Sequence, residues 1–109
     1  MTQANKLVFT ESARKELKRL QGDVKEQAKK QIKKICANPE IGVPLGNKGG
    51  YNLTGCYKKE FYKHKQYRIV YRVDRNTVTI VIIAIGKRDK FAVYEMAHRL
   101  IEKNREREG

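Results

Sequence analysis

Tryptophan is absent from this 109-residue sequence, and cysteine, proline, methionine and histidine occur only twice each. Cys36 and Cys56 are too few and too far apart for a disulfide scaffold or a zinc site, so a reduced pair is expected. His64 and His98 belong to no spaced Cys/His cluster, and the carboxylates are not grouped, which leaves no metal-ligand set. Neither glycine pattern that cradles nucleotide phosphates occurs, so no cofactor is expected. No apolar run has the length of a membrane span, and the opening MTQANKLVFTES has no signal-peptide core. Both point to the cytoplasm and away from a membrane. Acidic residues are scarce too, at 12 against 25 Lys and Arg, for a net charge of +13. That field favours a polyanionic partner and would make nucleic-acid binding salt-dependent.

What is present is periodic. The length suits one domain, 1–109, with a single core. KLVF, Lys6 to Phe9, reads as a strand, and Thr10 offers an oxygen to cap a helix in which Ala13, Leu17 and Leu20 recur. Gly22 is read as its end. Asp23, with Glu26 three residues on, forms a capping box for a second helix striped by Val24, Ala28, Ile32 and Ile35, which Asn38-Pro39 stops. IGVPLGNKGG, from Ile41 to Gly50, reads as a loop.

Beyond it the period becomes two. YNLTGCYKKEF, QYRIVYRV and TVTIVIIAI form an antiparallel meander, with His64 exposed in the first hairpin between Lys63 and Lys65. Tyr67, Ile69, Tyr71 and Val73 share the core face of the middle strand, whereas Arg68, Val70 and Arg72 share the other. Val93, Met96, Ala97, Leu100 and Ile101 mark a last helix before a frayed charged tail, 102–109. The order is β-α-α-β-β-β-α, a compact α+β domain with a helical hairpin packed on one face of an antiparallel sheet.

Lys58, Arg68 and Arg88 lie on or just past neighbouring strands and can converge on a phosphate, with Lys87 beside them and Tyr94 six residues beyond Arg88. Metal-free RNA cleavage needs a base for the 2′-hydroxyl, cations for the developing charge and an acid for the leaving oxygen. Clustered cations would make a tyrosine a usable base by stabilising its phenolate. Taken alone, a basic strand face is more often a merely solvated surface. His98, one helical turn past Tyr94, either lines the same rim or is a surface residue.

Over nearly its whole length, in FTESARKELKRL, LTGCYKKEF, YRIVYRV and VIIAIGKRDKFAVYEMAHRLI, the chain resembles toxins of the RelE/ParE superfamily of bacterial type II toxin–antitoxin modules, most closely the RelE branch. The resemblance implies a metal-independent, ribosome-dependent endoribonuclease that cuts mRNA in the A site, among 16S rRNA, and so inhibits translation. It also implies a cognate antitoxin, with operator DNA bound only through the toxin–antitoxin complex. By position, Arg68 and Arg88 match the arginines that hold the scissile phosphate, Tyr94 the tyrosine that stacks and takes the 2′-hydroxyl proton, and Lys58 the first of two alternating strand lysines. Glu60 stands where the second lysine belongs. Either Lys63 or Lys65 reaches in from the hairpin, or Glu60 acts as base or orienter, or the site is less active. Two other readings share the fold: a ParE-like inhibitor of DNA gyrase, and a basic RNA-binding or regulatory module without catalysis.

Overall fold

The computed structural model describes residues 6–48 and 51–87. The elements are β1 (Lys6–Phe9), α1 (Glu11–Arg19), α2 (Gly22–Ala37), β2 (Val43–Lys48), β3 (Tyr51–Phe61), a single 3₁₀ turn at Lys63–Lys65, β4 (Tyr67–Asp74) and β5 (Thr79–Lys87). The strands form one sheet in the order β1-β5-β4-β3-β2. All neighbours are antiparallel except β1, which runs parallel to β5 with Leu7 opposite Ile80 and Phe9 opposite Ile82. This is the expected α+β architecture, with one strand more than the periodicity suggests.

The two helices cover one face. Ala13, Ala28, Ile32 and Ile35 are buried against Tyr57, Phe61, Ile69, Tyr71, Ile80, Ile82 and Ile85, with Leu17, Leu20 and Val24 packed at the margin. Burying one such aliphatic side chain is worth about 1.5–3 kcal/mol, so the apolar stripes of α1 and α2 fix which helix face meets the sheet. Thr10 joins the layers. Its hydroxyl accepts from the Ala13 N–H at 3.1 Å, as a helix cap should, and donates to the Ile83 carbonyl at 2.9 Å.

Three details differ from the sequence reading. Gly22 opens α2 rather than closing α1, at φ +55°, and α1 has already ended at Leu20. The residue before α2 is Gln21, which makes no side-chain cap. Asp23 lies inside the first turn, where its charge favours the positive end of the helix but forms no capping box. The stretch read as a loop contains β2, an edge strand pairing with β3 through Val43–Lys58 and Gly46–Leu53. Pro44 is tolerated because an edge strand has one unpaired side, and Gly46, at φ +55°, marks the bulge that shifts the register after Pro44.

Tyr71 is core and Tyr67 only half-buried. Cys36 and Cys56 are both free thiols. No helix among the described residues is long and apolar enough to cross a membrane. Arg88, Tyr94, His98, the last helix and the tail lie outside the described residues.

Candidate active site

The site is built on the sheet face turned away from the helices. Alternation along β3 puts Cys56, Lys58 and Glu60 on that face, because Tyr57 and Phe61 belong to the helix-side core. On β4 the same logic selects Arg68, Val70 and Arg72. The register then aligns the two sets: Glu60 lies opposite Arg68, Lys58 opposite Val70, and Cys56 opposite Arg72. On the other side of β4, Gly86 of β5 lies opposite Arg68, so no side chain from that strand position crowds the guanidinium.

Glu60 bridges two cations. Its carboxylate lies 3.4 Å from Lys58 Nζ through one oxygen and 3.6 Å from Arg68 Nη2 through the other. The Arg68 side chain is only 7% exposed, whereas Lys58 and Glu60 are 19% and 20% exposed. A guanidinium that far from water requires an anion close by, and a charge held there acts through a lower dielectric than a solvated lysine does. The cluster therefore carries two positive charges and one negative, pre-positioned and partly desolvated. An incoming phosphate would find two cations already fixed in place.

The face is not basic throughout. Leu45, Leu53, Cys56, Val70, Ile83 and Ala84 form a second buried apolar group on it, so the Lys58–Glu60–Arg68 set occupies the end of the sheet near the β3–β4 hairpin and Arg72 stands apart from it, opposite Cys56. Sequence alternation separates the two faces of β4 but does not reveal that Arg68 is buried or that apolar residues fill the middle of its face. The signal was there in Val70 and in the two-sided apolar β5, both of which call for cover on this side.

The other candidates are distributed as follows. Lys59 falls on the opposite face from Lys58, since no bulge interrupts their pairing with β4. Lys63 and Lys65 are exposed at the hairpin. The Lys63 ammonium sits 5.8 Å from the Tyr62 ring centroid, and that ring packs on the helix-side core, so Lys63 does not take the place of the missing strand lysine. Lys87 is exposed opposite Tyr67, one position past Gly86, which puts it on the helix side of the sheet. Among the described residues no group of three or more His, Cys, Asp or Glu side chains is placed to hold a metal ion.

The backbone beneath the cluster is braced from the loop after α2. Gly42 lies so close to β3 and β4 that a Cβ there would come within 2.6 Å of both the Lys58 carbonyl oxygen and the Tyr71 hydroxyl. The Gly42 N–H donates to Tyr71 Oη at 3.0 Å, and Tyr71 Oη donates to the Pro39 carbonyl at 2.8 Å. Burial pushes the Tyr71 hydroxyl up to about 12, so it keeps its proton and remains a donor. Sequence reading placed Tyr71 in the core but missed this anchor, whose one hint was a glycine three residues after a proline.

A family model described as the ParE toxin of the type II toxin–antitoxin system parDE matches residues 7–90. The mRNA interferase toxin RelE of Escherichia coli strain K12 is 35% identical over 95 residues, covering 87% of this chain and 95% of its own. The chain belongs to the RelE/ParE superfamily of toxins, nearest the RelE branch. The mRNA interferase RelE of Shigella flexneri matches to the same extent. A free-state mutant of the Escherichia coli RelE toxin shares the fold with a TM-score of 0.73 at 32% identity, over 90% of this chain and 98% of the solved one. The toxin in the intact Escherichia coli RelBE toxin–antitoxin complex gives 0.61 at 31% identity, over 80% and 100%. These RelE structures and the present chain share the α+β scaffold on which the Lys58–Glu60–Arg68 cluster stands.

Proposed function

We propose that this RelE-type chain is a ribosome-dependent, metal-independent endoribonuclease that cuts mRNA in the A site, the toxin of a module in which a cognate antitoxin holds it inactive. The observation that carries the reading is the Lys58–Glu60–Arg68 cluster, two fixed cations around one carboxylate on a chain similar to proteins named mRNA interferases. The similarity to a toxin solved in complex with its antitoxin supports the partner, and operator DNA would be bound only through that complex.

In the reaction, the ribose 2′-oxygen bonds to the adjacent phosphorus and the bond from phosphorus to the 5′-oxygen breaks. One proton leaves the 2′-hydroxyl for a base, and one is delivered to the departing 5′-oxygen. Arg68 and Arg88 hold the phosphate and offset the charge that grows on its oxygens, with Lys58 as the second strand cation. Tyr94 takes the 2′-hydroxyl proton, its phenolate favoured by the surrounding cations. Glu60 orients Lys58 and Arg68 and keeps both from collapsing onto other anions.

The test is cleavage of a defined mRNA by the purified chain with and without programmed ribosomes, in the presence of EDTA. Cutting should require ribosomes, survive chelation, and fall about 100-fold or more in Arg68→Ala and Tyr94→Phe, the scale on which one charge-stabilising or proton-transferring group acts. Glu60→Gln should cut more slowly than the parent but faster than Arg68→Ala. No cutting under conditions where Escherichia coli RelE cuts would overturn the proposal.

A second reading, inhibition of DNA gyrase, has the ParE description of the matching family model behind it. A supercoiling assay separates the two, because a gyrase inhibitor should be indifferent to Tyr94→Phe.

A further inference from the structure

The hairpin between β3 and β4 is held in a backbone conformation that its residues disfavour. Tyr62 has φ +73° and ψ −179°, a region nearly exclusive to glycine, and His64 and Lys65 follow at φ +53° and +55°. Tyr62 has an evident compensation, since its ring packs edge-on against Tyr67 at 5.9 Å. His64 and Lys65 have none in packing, because Lys63, His64, Lys65 and Gln66 are all exposed. A glycine at either position would close the turn without strain. Side chains that are costly to place and bury nothing are better explained by what they contact outside the chain.

What the turn offers is positive charge, from the exposed Lys63 and Lys65. No carboxylate among the described residues pairs with Lys63 or Lys65, and the nearest one along the strand, Glu60, is engaged by Lys58 and Arg68. Lys63 is partly held in place over the Tyr62 ring. The turn presents no exposed apolar anchor of the kind a protein interface needs, and lysine is depleted from such interfaces. A phosphate backbone, by contrast, is contacted by just this set of long cationic and polar side chains. The turn also continues directly from the site: Phe61 and Tyr67 form the rung next to it, and Glu60 and Arg68 the rung after that. Three residues of strand span about 10 Å, close enough for one folded RNA to meet the turn and the cluster together.

We propose that the Lys63-His64-Lys65 turn is a docking contact for the phosphate backbone of folded RNA, separate from the residues that carry the cleavage chemistry. The inference rests on RNA being the partner, as in the proposed function, but not on the chain cutting it. The experiment is binding of the full-length chain to a labelled RNA stem-loop across a range of NaCl concentrations, for the parent, Lys63→Gln/Lys65→Gln, and a control pair on α2, Lys29→Gln/Lys33→Gln. Removing two phosphate contacts should lower the slope of log affinity against log salt by roughly 1.4–1.8. The control pair, exposed on α2 and outside the turn, should leave it unchanged.

A further variant, Lys65→Gly, should raise the urea midpoint while weakening RNA binding, a split that a purely structural turn would not give. An unchanged slope in the turn variant, or an equal drop in the control, would overturn the proposal. So would loss of antitoxin binding with RNA binding intact, which would make the turn a protein contact. Because the readout is binding, a chain that binds through the turn but never cuts sinks the nuclease reading alone, and one that cuts with an unchanged slope sinks the docking proposal alone.

Discussion

Tyr71 shows how one residue can fix the frame of the site without belonging to it. Its ring stacks on Tyr57 at 5.4 Å and 15°, and its hydroxyl ties the Pro39 carbonyl and the Gly42 N–H to the sheet just where Gly42 meets the Lys58 backbone. Tyr71→Phe keeps the ring and removes only the oxygen, leaving a buried donor and acceptor without their partner. The expected cost is about 1–3 kcal/mol in urea denaturation, with unchanged β-sheet content by circular dichroism. A loss within experimental error would mean that the 39–42 loop rehydrates freely and does not brace Lys58. The raised Tyr71 ionisation has its own sign: because the folded state holds the proton more tightly than the unfolded chain, stability declines as pH rises from about 10 towards 12.

At the scale of elements, α1 reaches the site's end of β5 through one carboxylate. Glu16 Oε1 accepts from the Ile85 N–H at 3.5 Å, one residue before the Gly86 that faces Arg68. Burial raises the Glu16 ionisation above its usual 4.5, and the Ile85 bond and nearby Arg19 offset this only in part. An acid whose folded pKa is raised binds its proton more tightly when folded, so its contribution is fully present below about pH 4.5 and is lost as pH rises through the folded value. Glu16→Gln, which keeps an acceptor and removes the charge, should therefore be at least as stable as the parent at pH 7. The advantage should disappear near pH 4, as compared by denaturation midpoints at matched salt. A variant less stable at pH 7 than at pH 4, relative to the parent, would show that the charged form of the Ile85 bond dominates.

The elements also show what the sequence makes legible. The helix stripes, the Thr10 cap, the stop at Asn38-Pro39 and the alternation of β4 are local patterns, and the structure follows them. β2 was hidden because Pro44, Gly46 and their neighbours are turn residues by composition, and only pairing with β3 makes them a strand. The site divides the same way. That Lys58, Glu60 and Arg68 share a face follows from a period of two. Their meeting at 3.4 and 3.6 Å depends on the β3–β4 register, and the burial of Arg68 depends on tertiary cover, neither of which is written in any one strand.

Across the whole molecule, the excess of 25 basic over 12 acidic residues should make salt act in opposite directions on folding and on binding. A net charge of +13 repels itself in the compact state, and the range of that repulsion shrinks from about 30 Å at 0.01 M salt to about 10 Å at 0.1 M. The Lys58–Glu60–Arg68 cluster is shielded from this because it is partly desolvated, whereas pairs such as Glu11–Lys15 and Glu40–Arg75 are exposed and contribute little at any ionic strength. The main effect of salt on folding is thus to screen a repulsion, while its main effect on the proposed RNA binding would be to oppose the counterion release that drives such binding. Raising NaCl from about 0.01 M to about 0.2 M should therefore raise the thermal midpoint of the free protein and weaken its affinity for an RNA stem-loop in the same samples. If both fall together, exposed ion pairs outweigh the overall field, and the excess charge is balanced locally rather than held in reserve for a polyanion.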